Sequence, residues 1–97
     1  MQHLSISAVR ADALFVSALQ RSAAPTAAEV HEAVAEAVRA FGSQGCAAWV
    51  AQEYGDHPET AAARMRWARE VTGMVFGRGA RRHLARQAGP APAARAA

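Results

Sequence analysis

Val50-Ala51-Gln52-Glu53-Tyr54-Gly55-Asp56-His57-Pro58-Glu59-Thr60-Ala61-Ala62-Ala63-Arg64-Met65-Arg66-Trp67-Ala68-Arg69 reads as helix, glycine turn, helix. Ala51 is small where a crossing helix needs close approach, Gly55 tolerates positive φ at the turn, and Ala61 offers a small contact early in the second helix. Pro58 suits a first helical turn, where its missing N–H costs nothing, with Asp56 or His57 as the cap. From there Ala61, Met65, Ala68, Thr72 and Val75 recur at helical spacing as an inward stripe, flanked by Val71 and Phe76. Gly73, Gly77 and Gly79 each weaken the far end by about 1 kcal/mol relative to Ala, so the helix is expected to fray near Phe76.

Upstream, Ser43 is a cap for a short third helix with Cys46, Ala47, Val50, Ala51 and Tyr54 inward, ending at Gly55. Before it, Thr26-Ala27-Ala28-Glu29 is a capping box. Val30, Val34, Val38 (with Ala37) and Phe41 then form the core stripe of a second helix that Gly42 stops. A first helix capped by Ser7 carries Ala11, Leu14, Phe15, Ala18 and Leu19 on one face. The expectation is an all-α, four-helix domain over residues 5–77 containing a helix-turn-helix. Residues 78–97 mix Arg with Gly89-Pro90-Ala91-Pro92, hold one large aliphatic residue, Leu84, and read as a basic disordered tail.

Composition agrees with the helical reading. Ninety-seven residues suffice for one domain core. Of the 50 apolar residues, 27 are Ala, the best helix former and a poor strand former, which nearly excludes an all-β chain. The basic residues are 11 Arg with no Lys. Residues 1–59 carry three Arg against seven acids, a net −4, and residues 60–97 carry eight Arg against Glu70 alone, a net +7. Such polarity favours an anionic partner for the C-terminal half, nucleic acid being the commonest.

The single cysteine, Cys46, allows no internal disulfide and reads as a buried, inert thiol in a reducing cytoplasm. No secretory signal and no membrane-length apolar run is visible, so a cytoplasmic protein is expected. His3, His31, His57 and His83 are scattered without ligand spacing, and no nucleophile motif, phosphate loop or cofactor fingerprint is present. Neither metal, cofactor nor catalysis is expected.

The central stretch resembles the helix-turn-helix of sigma-factor region four and of LuxR-type regulators over residues 46–70, through Val50, Ala51, Glu53, Gly55, Pro58, Glu59, Thr60 and Arg64, with Met65 for the apolar Leu. The resemblance implies a small bacterial transcriptional regulator or accessory factor whose second helix enters the DNA major groove. Ala62 and Ala63 stand where such families often place base-reading side chains, which leaves Thr60 and Arg64 for hydrogen-bonded readout. Arg66 and Arg69 are then phosphate contacts, and Arg78, Arg81, Arg82 and Arg86 follow the backbone or enter the minor groove.

A reading of another class stands beside it: a protein-interaction module engaging a sigma factor, RNA polymerase or another regulator through the acidic first half and exposed aromatics. Glu29, Glu32, Glu36 and Glu53 suit a basic partner region. Trp67 lies off the inward stripe, near Arg64 and Met74 at helical spacing, and is either an exposed partner anchor or a cover over the first helix. Trp49, opposite Val50, carries the same two readings. A homodimer is a further candidate assembly, because the first helix has apolar residues beyond its main stripe. An exposed patch containing Trp67 favours the partner module, and a wet, Arg-lined second helix favours DNA.

Overall fold

The computed structural model describes residues 5–77. They form α1 (Ile6–Val16), a 3₁₀ turn (Arg21–Ala23), α2 (Ala27–Asp56) and α3 (Pro58–Phe76), with no strand among the described residues. Residues 78–97, where a basic tail is expected, lie outside this range.

The cap of α1 is Ser5 rather than Ser7: the Ser5 backbone is extended and its hydroxyl accepts from the Ala8 N–H at 3.1 Å. An N-cap needs that non-helical backbone, which Ser7, already inside the first turn, lacks. At the start of α2 the capping box is complete. Thr26 Oγ1 accepts from Glu29 N–H at 3.1 Å and Glu29 Oε1 accepts from Thr26 N–H at 2.8 Å.

The two helices expected over residues 27–55 are the arms, 27–41 and 43–56, of one element broken at Gly42 (φ 73, ψ 166). That backbone conformation is essentially confined to glycine. Across the break the Cys46 thiol donates to the Ala37 carbonyl at 3.7 Å, and burial, with Asp12 adding to it, pushes the thiol pKa up. Cys46 is thus an unreactive core residue.

At the other end the expected turn shifts. Gly55 is not in the left-handed region, the helix runs through it to Asp56, and His57 alone (φ −140, ψ 68) joins α2 to α3. Pro58 accounts for this, because its ring disfavours a helical backbone at the residue before it.

All three helices pack on one another. The core joins Leu14 and Phe15 of α1, Val30, Val34, Cys46 and Val50 of α2, and Ala61, Met65, Trp67 and Ala68 of α3. Four expected core residues, Ala18, Phe41, Ala51 and Tyr54, are exposed instead. Phe41 falls where α1 has already ended, so the stripe outruns its cover. Tyr54 stacks on Phe15 with ring centroids 6.5 Å apart. No described helix is long and apolar enough to cross a membrane.

Candidate interaction surface

The residue that the DNA reading relies on most, Arg64, is turned inward. Its Nε donates to the Phe15 carbonyl at 2.7 Å, and one terminal nitrogen lies within bonding distance of the carbonyls of Leu14 (3.3 Å), Ser17 (3.0 Å) and Leu19 (3.0 Å). These carbonyls belong to the last turn of α1 and the chain leaving it, where a helix lacks intrahelical partners for most of its final acceptors and its dipole favours a cation; of the four, Leu14 also accepts from Ser17. Burial lowers the Arg64 pKa, yet a guanidinium stays charged at neutral pH. Arg64 therefore fastens α3 to the end of α1.

The aromatic neighbours of Arg64 complete this contact. Its guanidinium carbon lies 4.9 Å from the Trp67 ring centroid and 5.9 Å from that of Phe15. Trp67 is 8% exposed, which removes it as a partner anchor. In a chain with few large side chains, burying Trp67 in the core removes more apolar area from water than reaching into solvent would.

Thr60, Arg66 and Arg69 of α3 are exposed. The charge of Arg69 is shared with Asp12 on α1, whose carboxyl pKa is raised by burial and partly lowered again by Arg69. Arg78, Arg81, Arg82 and Arg86 lie outside the described residues. Residues 5–77 hold six Arg against eight acids, a net −2, whereas residues 78–97 hold five Arg and no acid. Among the described residues no group of His, Cys, Asp and Glu is arranged to hold a metal.

The uncovered aromatic surface lies on α2. Phe41 is 45% exposed and Trp49 46%, and they meet edge to face across the Gly42 break with ring centroids 5.3 Å apart. Gly45 permits the approach, since a Cβ there would stand 3.1 Å from the Cβ of Phe41. On one side Phe41 closes a groove between α1 and the first arm of α2; on the other Trp49 borders a recess over Gly45, Ala48 and Gln52.

Sequence reasoning singles out Trp49 and misses Phe41, because periodicity assigns Phe41 to the core. The signal that could have found it is the adjacent Gly42, which marks where a helix and its cover stop. Comparison with protein families, with curated proteins and with solved structures finds no match to this chain.

Proposed function

We propose that this chain is a helical protein-interaction module that docks a partner through the outer face of α2 around Gly42. The observation that carries the reading is the Phe41–Trp49 pair: two of the chain's few large aromatics stay about half exposed, in contact with each other, while Trp67 and Arg64 are used internally. Exposed aromatics of this kind supply most of the binding energy at protein interfaces. The test compares capture from an extract of the source cells by wild type and by the Phe41→Ser/Trp49→Ser variant. A partner retained by wild type and lost by the variant is expected; equal recovery overturns the reading.

Exposed Thr60, Arg66 and Arg69 support a second reading, duplex DNA held mainly through phosphates, with residues 78–97 adding five positive charges. Arg64 has its Nε and one terminal nitrogen committed to the α1 carbonyls in this arrangement, so sequence choice would rest mainly on Thr60. A salt-dependent anisotropy titration of a random duplex tests it. Each phosphate contact contributes about one unit of salt slope, so Arg66→Gln/Arg69→Gln is expected to lower the slope by about two. Absence of binding at low salt ends the second reading.

A further inference from the structure

We infer that the groove between the end of α1 and the first arm of α2 is the seat of a basic amphipathic helix from a partner protein. The inference rests on the interaction-module reading and names the chemistry of the partner. The groove encloses about 620 Å³. Its floor is apolar, with Val16 and Leu19 on the α1 side, Ala33 and Ala37 on α2, and Phe41 at one end. Glu29, Glu32 and Glu36 line it at successive helical turns, and Arg39 is the one cation among the described residues that line it. Glu29 already accepts from Thr26, so exposed Glu32 and Glu36 are the carboxylates open to a ligand.

A helix laid in this floor by residues at i, i+3, i+4 and i+7 carries its flanking side chains past those carboxylates. Arg or Lys there meets opposite charge, and its aliphatic stem extends the apolar contact. Phe41 at the groove is itself in edge contact with Trp49, which joins the groove to the aromatic pair. Two other occupants fit less well. Residues 78–97 have the charge but only Leu84 as a large aliphatic, too little for the floor. A second copy would seat its residues 5–77, which sum to −2, against an acidic rim, its excess positive charge lying in residues 78–97.

The chain has no Lys, which allows a direct test on the full protein. A labelled amphipathic peptide of Leu, Ala and Lys, about five helical turns long, is titrated at low and physiological salt and then coupled by a carbodiimide, which joins its amines to nearby carboxylates. Binding that weakens with salt, amide bonds at Glu32 or Glu36, and an affinity about tenfold lower for Glu32→Arg/Glu36→Arg are expected.

Several results overturn the inference: no binding, equal affinity for the variant or for a scrambled peptide, or amide bonds confined to Glu53, Asp56, Glu59 and Glu70. So does a several-fold rise in peptide affinity on Arg81→Gln/Arg82→Gln/Arg86→Gln, which places the chain's own residues in the groove. A dimer that the peptide dissociates in sedimentation places a second copy there and equally overturns it. Failure here with capture still lost on Phe41→Ser/Trp49→Ser sinks the groove and leaves the module reading standing; unchanged capture sinks the reading itself.

Discussion

Arg64 shows how a side chain marked as important by its sequence context has its role set by a distant part of the chain. The central stretch singles it out as a base reader, but the carbonyls it binds lie 45 to 50 residues away, beyond any local pattern. Removing it takes the donor from the Phe15, Ser17 and Leu19 carbonyls, while Leu14 keeps its bonds from Ser17, and each partly buried carbonyl left unpaired costs about 1 to 3 kcal/mol. Arg64→Ala is therefore expected to lower stability by at least about 2 kcal/mol in chemical denaturation, and Arg64→Lys to recover little, since a point ammonium cannot reproduce the guanidinium fork. Stability within experimental error of wild type for Arg64→Ala contradicts the fastening role. Asp12 gives a pH test. Its folded pKa is raised, chiefly by burial, so the fold favours the protonated acid; that contribution is present at acid pH and is lost as pH rises through the folded pKa. Asp12→Asn, neutral at every pH, should then raise the melting temperature at neutral pH. The gain should shrink as pH falls toward 3.8, the carboxyl's ordinary value. A gain that grows on acidification contradicts the assignment.

At the scale of elements, the signals that act within one turn are legible in the sequence. The Thr26–Glu29 box and Pro58 begin their helices where expected, and the stripes Leu14–Phe15, Val30–Val34 and Met65–Ala68 are buried. The end of α2 is not legible from Gly55, because a glycine only permits a turn, whereas the proline three residues on enforces one. Gly42 reads as a stop, and its non-helical backbone does interrupt the helix, dividing residues 27–56 into two arms. Its φ of 73 and ψ of 166 predict that Gly42→Ala costs about 1 to 3 kcal/mol in backbone strain. No neighbouring atom lies within 4 Å of the added Cβ, so packing contributes nothing to that cost. Urea unfolding of the variant measures it, and an unchanged midpoint contradicts the strained geometry. The break also explains why Phe41 reads as core, since helical periodicity says which residues share a face but not where the covering helix ends.

Across the whole molecule, helical class follows from composition and the positions of most inward residues from spacing, whereas the surface offered to a partner does not. That surface depends on which large side chains remain uncovered after α1, α2 and α3 have packed, a property of the assembled fold. Phe41→Ser/Trp49→Ser removes only half-exposed side chains and is expected to change stability by less than about 1 kcal/mol, so its lost capture reports binding rather than unfolding. A cooperative loss of structure in that variant contradicts the placement of the pair at the surface. The most direct measurement is photo-crosslinking in the source cells from a benzoylphenylalanine placed at position 49 of the full chain, beside the same probe at position 66 on α3. A discrete protein adduct from position 49 and none from position 66 is the expected result. Adducts to protein or nucleic acid from position 66 with none from position 49 contradict the account.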